Sequence, residues 1–245
     1  MREWITAFFM AWGMFLAIPC PCKRWDERAR QKMLVCLPLI GLVEGGLWAL
    51  LVWLAAMLRL PEAVGALCAA AFPWLVTGFL HLDGYMDVCD AVLSRRDLAT
   101  RQRILKDSHC GAFAVICMVL LALAQWSVFL QEKNPAWLPL LLIPAATRAC
   151  AGLAVMHLRP MGTSQYAAMR RGGADLTAAL WIFLALAVGL PIWLAGSFAP
   201  LAAAVGYGLA AWYGFRQLDG MSGDISGFAL TVGELVGAAT LLYVG

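Results

Sequence analysis

Hydrophobic and polar positions alternate along this chain in long blocks. Apolar stretches long enough to cross a bilayer, which takes about 20 helical residues, are separated by short polar connections. The pattern predicts six or seven spans, at 34–58, 63–81, 111–131, 137–157, 174–193, 200–216 and 228–244. We therefore expect an all-α fold, a polytopic membrane helix bundle with about seven transmembrane helices, in a single domain covering residues 1–245.

The first apolar stretch, residues 4–18, is short for a span. It follows Arg2 and Glu3, and no convincing small-residue cleavage site follows it. We interpret it as a retained interfacial or half-inserted helix rather than a removed signal peptide. Whether it spans the membrane or lies on it stays open.

Composition supports a membrane protein. The chain is 62% hydrophobic and 13% charged, with a mean hydropathy of +0.77, whereas soluble domains carry roughly 25% charged residues. Its eight cysteines include no C-x-x-C pair, and several lie inside apolar segments. Neither a disulfide framework nor a zinc site is indicated.

Basic residues fall almost entirely in connections that alternating spans would place on one side. These are Lys23, Arg24, Arg28, Arg30, Lys32, Arg95, Arg96, Arg101, Arg103, Lys106, Arg159, Arg170 and Arg171, with Arg216 at the border. The opposite side holds Arg59 and Lys133. Because cytoplasmic connections are enriched in Lys and Arg, we predict a multi-pass protein of the cell membrane, with residues 82–110 facing the cytoplasm.

The connection 94–110 is predicted to form an amphipathic helix whose basic residues contact anionic lipid head groups. Arg103 and Lys106, next to Asp107, are also candidates for holding a phosphorylated substrate. No nucleic-acid partner is expected.

Three carboxylates stand out after the second span. Asp83, Asp87 and Asp90 are spaced i, i+4 and i+7, so a helix places them on one stripe. Such a stripe is either a solvated helix end or a site for a divalent cation, and all-oxygen ligands favour Mg²⁺ or Mn²⁺. The spacing alone leaves both interpretations open.

A glycine-rich run at residues 218–227 separates the last two spans. Glycines let the backbone approach a ligand closely, and free N–H groups can cradle phosphate, so Gly220, Ser222 and Gly223 are candidate phosphate contacts. Asp219 and Asp224 add oxygen ligands to this run.

Two ionisable residues interrupt apolar spans. Glu44 should face a polar cavity or a partner, and Arg148 should pair with a carboxylate or a phosphate. His81, His109 and His157 lie near predicted helix ends and are interpreted as interfacial. On a continuous helix, His81 would point away from the carboxylate stripe.

Clustered carboxylates, a glycine-rich connection and an intramembrane arginine suit the transfer of a phosphate-linked group. A metal ion would bridge and neutralise a pyrophosphate while a hydroxyl attacks phosphorus.

Several motifs occur in an order that resembles one family over nearly the whole chain. They are Pro38-Leu39-Ile40-Gly41, His81-Leu82-Asp83-Gly84-x-x-Asp87-x-x-Asp90, Ile104-Leu105-Lys106-Asp107, Gly111-Ala112-Phe113, Thr147-Arg148, Gly220-x-Ser222-Gly223-Asp224-x-x-Gly227 and Gly233-Glu234-Leu235. This set resembles the signature of cobalamin synthases, the adenosylcobinamide-GDP ribazoletransferases. The family more often has Gly-Gly-x-Thr-Gly-Asp where this chain has Asp219 to Asp224, and more often Gly at the position of Ala91.

The resemblance implies an integral membrane transferase that requires Mg²⁺. A hydroxyl of α-ribazole, or of its 5′-phosphate, would attack the cobinamide-bound phosphorus of adenosylcobinamide-GDP and release GMP. By this resemblance, the Asp83, Asp87, Asp90 and Asp224 carboxylates would hold one or two Mg²⁺ ions. One of these or Asp107 would accept the hydroxyl proton, and Arg103, Lys106 and Arg148 would neutralise phosphate.

Two other functions fit the sequence less well. A CDP-alcohol phosphotransferase would need Asp-Gly-x-x-Ala-Arg, but Asp87 and Val88 occupy the Ala-Arg position. A transporter using Glu44 and Arg148 would leave the acidic stripe unexplained. The sequence leaves open homo-oligomer formation, the preferred ribazole form and its base.

Overall fold

The computed structural model describes residues 2–131, 136–162 and 173–243. Within these ranges the chain forms ten α-helices, which confirms the all-α prediction. In chain order they are α1 Arg2–Phe15, α2 Arg30–Met57, α3 Glu62–Val76, α4 Leu80–Leu93, α5 Leu98–Ile104, α6 Ala112–Phe129, α7 Trp137–His157, α8 Ala174–Ala195, α9 Ala199–Leu218 and α10 Gly223–Tyr243. The predicted positions Lys133, Arg170, Arg171 and residue 244 lie outside the described residues.

In the described part of the chain, five helices are long and apolar enough to cross a membrane: α2, α6, α7, α8 and α10. The pair α3 and α4 passes the same test only jointly, which raises the number to six. Helix α9 has 20 residues, but its glycines, Arg216 and Gln217 make it less apolar than the others. The multi-pass fold is confirmed, with fewer clearly apolar spans than the predicted seven.

Contacts between the connections show which helix ends lie together. At one end, the Gln102 side chain donates to the Leu218 carbonyl at 2.8 Å, and the Met221 amide donates to the Arg159 carbonyl at 2.8 Å. At the other end, the Trp126 indole donates to the Ala63 carbonyl at 3.1 Å. The chain therefore runs alternately between two ends, as the span pattern predicts.

The predicted span 63–81 is broken. Helix α3 ends at Val76, and α4 leaves at an angle of 89° to it. Gly78 and Phe79 both adopt left-handed backbone angles, with φ of 60° and 63°. That conformation costs little for glycine but strains a bulky residue such as phenylalanine. The carboxylate stripe thus lies on a separate helix, not on the continuation of a span.

The residues that follow the N-terminal helix pack against this break. The Ala17 amide donates to the Val76 carbonyl at 2.8 Å, while the helix itself is joined to α2 by an ion pair between Glu3 and Lys32. The predicted short helix is therefore present, and the residues after it cover one side of the α3–α4 turn. The helix predicted in 94–110 is also present, but α5 has only 7 residues.

Helices α2 and α7 approach closely through two glycines one turn apart. A Cβ at Gly41 would lie 2.5 Å from the Pro144 carbonyl oxygen, and a Cβ at Gly45 would overlap the Leu141 carbonyl. Small residues at this spacing let helix backbones meet inside a membrane. A Cβ at neighbouring Gly46 would have ordinary contact, 3.6 Å from the Leu141 Cδ1.

These distances give a matched pair of substitutions. We expect Gly45→Ala to lower the free energy of unfolding by about 1–3 kcal/mol, because the added methyl group forces α2 and α7 apart. Gly46→Ala, the same change one residue away, should leave stability near the wild-type value. Thermal unfolding in one detergent compares the two, and equal midpoints would contradict the packing described here.

Candidate active site

Helix α4 packs against the start of α10 through two glycines. A Cβ at Gly84 would lie 2.8 Å from the Asp224 carbonyl oxygen, and a Cβ at Gly227 would lie 3.2 Å from the His81 Cα. Since neither helix has a side chain at the contact, their backbones nearly touch. This contact brings the acidic stripe of α4 beside Asp224 of α10.

Four carboxylates meet along this contact. Asp83 is exposed, while Asp87, Asp90 and Asp224 are partly buried. Asp83, Asp224 and Asp90 each act on the Asp87 carboxylate as like charges. Gly111, at the start of α6, leaves room for the fourth group, because a Cβ there would overlap the Asp90 carboxylate oxygens. The structure therefore places the three stripe residues and Asp224 along one helix contact, and their role in holding a metal stays a prediction.

These carboxylates do not form a closed cage. Among the described residues, no three His, Cys, Asp or Glu side chains already converge on a point that would hold a metal ion. Mg²⁺ does not need such a cage, because it keeps several waters and binds through one or two carboxylates plus substrate phosphates. The all-oxygen donors and their mutual repulsion fit that ion.

A cavity of about 600 Å³ opens beside the carboxylates. Asp83, Asp224 and Lys106 line its polar side together with Ser222 and Gly223. Asp87 and Asp90 lie next to this wall without lining the cavity. Two of the four carboxylates thus face the space that a substrate would fill.

Arg148 is buried in the wall of this cavity, where it has two carboxylate partners. Its guanidinium donates to Glu44 of α2 and, at 2.7 Å, to Glu234 of α10. The predicted partner for Glu44 is confirmed. Glu234 was missed as a partner, although a glutamate inside an apolar segment is the same signal that identified Glu44. Because both carboxylates bind its guanidinium, Arg148 of α7 connects this helix to α2 and α10. Its charge therefore has a structural role.

The glycine-rich run is mostly helical. The predicted spans 200–216 and 228–244 leave a connection at 217–227. In the structure this connection is shorter, residues 219–222, because α9 ends at Leu218 and α10 begins at Gly223. Gly220, at φ 149°, packs on the Met161 backbone, where a Cβ would lie 2.6 Å from the Met161 Cα. The Ser222 hydroxyl accepts from the Ile225 amide at 3.3 Å and caps α10.

Of the three candidate phosphate contacts in this run, Ser222 and Gly223 line the cavity and Gly220 does not. Asp219 turns away from the cluster and pairs with Arg159.

Asp107 and Arg103 lie outside the main cavity. The exposed Asp107 carboxylate accepts from the His109 ring at 2.6 Å, and this hydrogen bond holds the pKa of Asp107 below its usual range. A lowered pKa makes Asp107 a weak proton acceptor. Arg103 and Lys106 share a neighbouring surface depression, so Lys106 lies between it and the cavity.

The three histidines differ in environment. His109 and His157 are exposed, as expected of interfacial residues. The same expectation is wrong for His81, which is 8% exposed and lines the cavity. Its Nε2 atom is buried without a hydrogen-bond partner. The break before α4, which the sequence did not reveal, is what turns His81 inward.

Comparison with known proteins agrees with the resemblance seen in the sequence. The family model described as cobalamin-5-phosphate synthase matches residues 7–242. An adenosylcobinamide-GDP ribazoletransferase of Clostridium perfringens (strain 13 / Type A) is 35% identical over 248 residues, covering 98% of this chain and 99% of the relative. An enzyme of the same name from Clostridium botulinum (strain Alaska E43 / Type E3) is 35% identical, covering 97% of this chain and 97% of the relative. Another, from Geobacillus thermodenitrificans (strain NG80-2), is 31% identical, covering 99% of this chain and 98% of the relative. No solved structure matches.

The buried ion pairs generate a stability prediction. Arg148→Ala leaves the Glu44 and Glu234 carboxylates buried without their cation, so we expect a loss of about 3–5 kcal/mol in the free energy of unfolding. Arg103→Ala removes an exposed arginine and should change it by less than about 0.5 kcal/mol. Thermal unfolding in detergent measures both. An Arg148→Ala protein of unchanged stability but lost activity would instead assign Arg148 to the substrate.

Proposed function

The chain belongs to the cobalamin-5-phosphate synthase family, and we propose how its residues carry out the reaction. The protein is a transferase of cobalamin biosynthesis that joins adenosylcobinamide-GDP to ribazole. A ribazole hydroxyl attacks the cobinamide-bound phosphorus, a new P–O bond forms, and the bond to the departing GMP breaks. The hydroxyl proton passes to a protein carboxylate.

The observation that supports this proposal most directly is the set of four carboxylates beside the cavity. Asp83, Asp87, Asp90 and Asp224 are the residues that would hold Mg²⁺. When bound, Mg²⁺ neutralises the pyrophosphate and favours the departure of GMP. A bound cation would also relieve the repulsion that Asp83, Asp90 and Asp224 exert on Asp87.

The proton acceptor is assigned among the carboxylates that face the cavity. Asp83 and Asp224 line it, so either can reach a hydroxyl of a substrate bound there. Asp107 is already hydrogen-bonded by His109 at the surface. We therefore place general-base catalysis on Asp83 or Asp224 rather than on Asp107.

Lys106 supplies the positive charge that is left for a substrate at the cavity, because Arg148, which also lines it, is paired with Glu44 and Glu234. Lys106 lies at the end of α5, which Gln102 anchors to α9 through the Leu218 carbonyl. Lys106 lines both the cavity and the adjacent depression that contains Arg103. We assign these two residues to the phosphates of the nucleotide half of the substrate, while Arg148 stays bound to its two glutamates.

The asymmetry of basic residues orients this site. Lys32, Arg101, Lys106 and Arg159 lie at the end of the bundle that carries the carboxylates, and Arg59 lies at the opposite end. Because Lys and Arg are enriched on the cytoplasmic side, we propose that the site faces the cytoplasm from the cell membrane.

The reaction is tested on detergent-solubilised protein. With adenosylcobinamide-GDP, ribazole and Mg²⁺, we expect cobalamin and GMP in equal amounts by chromatography, and neither after a chelator removes the metal. Undiminished product with the chelator would overturn the metal assignment. No product from folded protein, with ribazole or its 5′-phosphate, would overturn the function.

A single substitution tests the carboxylate cluster. We expect Asp87→Asn to reduce kcat by at least about a hundredfold, as is usual when a group that stabilises transition-state charge is removed. Asp175→Asn, the same change at an exposed position on α8, should leave kcat unchanged. Equal activity of the two variants would remove Asp87 from the site.

A further inference from the structure

The cavity has a second half that the phosphate chemistry does not use. Facing the carboxylates is an apolar wall formed by α1 and α2, with Met14, Phe15, Met33, Leu34 and Leu37. A pocket of this composition, with a few polar groups at one side, is typical of sites that orient a small organic ligand.

The volume of the cavity indicates which of the two substrates can bind inside it. Its volume of about 600 Å³ lies within the roughly 300–1,000 Å³ of pockets for drug-sized ligands. Ribazole, a bicyclic base joined to one ribose, is of that size. Adenosylcobinamide-GDP, with its corrin ring and adenosyl group, is several times larger, so most of it must lie outside the cavity.

Two rings stand side by side in the apolar half. Phe15 of α1 and His81 of α4 are nearly parallel, with an interplanar angle of 26° and ring centroids 6.2 Å apart. His81 is buried, and its Nε2 atom has no hydrogen-bond partner. A buried polar atom without a partner is costly, and a ligand that supplies one removes that cost.

We infer that this apolar half binds the aromatic base of ribazole. Phe15 contacts the base, and His81 donates a hydrogen bond to the base's free ring nitrogen. The ribose then extends toward Asp83 and Asp224, where its hydroxyl is deprotonated. This inference rests on the proposed function, since it places one of the two substrates of that reaction.

The aromatic contact is tested with Phe15→Ala, because the two substrates can be varied independently. We expect the KM for ribazole to rise about tenfold, the equivalent of one lost apolar contact, while the KM for adenosylcobinamide-GDP stays unchanged. Phe8→Ala is the matched control, because Phe8 lies on the same helix, is partly buried against the core and does not line the cavity. It should leave both constants unchanged.

The hydrogen bond is tested with His81→Phe and a substrate analogue. Replacing benzimidazole by indole removes the acceptor nitrogen and keeps the ring shape. Equilibrium dialysis should show that wild type binds benzimidazole riboside about tenfold more tightly than indole riboside, and that His81→Phe binds the two equally. His81→Gln, which keeps an N–H donor, should restore part of the preference.

The outcomes separate this inference from the proposed function. Wild-type protein that makes no cobalamin contradicts the function itself. An active enzyme in which Phe15→Ala raises the KM for adenosylcobinamide-GDP instead, or in which His81→Phe retains the benzimidazole preference, overturns the base site and leaves the reaction standing.

Discussion

The contact between α4 and α10 at Gly84 and Gly227 is the constraint on which the site depends. Larger side chains there would hold the two backbones apart, because a Cβ at Gly84 already reaches 2.8 Å from the Asp224 carbonyl oxygen. Asp83 and Asp87 would then lose their closeness to Asp224. The carboxylate cluster is therefore a product of backbone packing, and its charges are tolerated because the cavity beside them admits solvent and substrate.

The break between α3 and α4 is the second requirement. The 89° turn takes α4 out of the direction of α3, and α4 packs against α10 and α6. The turn forces Phe79 into an unfavourable left-handed backbone conformation. Packing of the N-terminal segment against the turn offsets this strain. The same turn directs His81 inward and gives the cavity its boundary between apolar and polar walls.

The sequence predicted the elements whose signals are local. Spacing alone placed Asp83, Asp87 and Asp90 on one helical face, and the cost of a buried charge identified Glu44 and Arg148 as residues that need partners. It did not predict the break at Gly78 and Phe79, because the apolar pattern runs through both residues without interruption.

Glycine was the ambiguous signal in the sequence. Gly220 is predicted to contact phosphate, yet it serves close packing on the Met161 backbone, and the two uses demand the same residue. The environment of His81 depends on tertiary packing, which no short pattern contains.

The ion pairs of Arg148 with Glu44 and Glu234 have a consequence for how this sequence can vary. Each residue is acceptable only while the others remain, since removing one leaves an uncompensated charge inside the bundle. Their effects are therefore non-additive, and a change at one position becomes harmless only after changes at the others. Because these ion pairs join α2, α7 and α10, we expect the three positions to be kept or exchanged as a set among relatives.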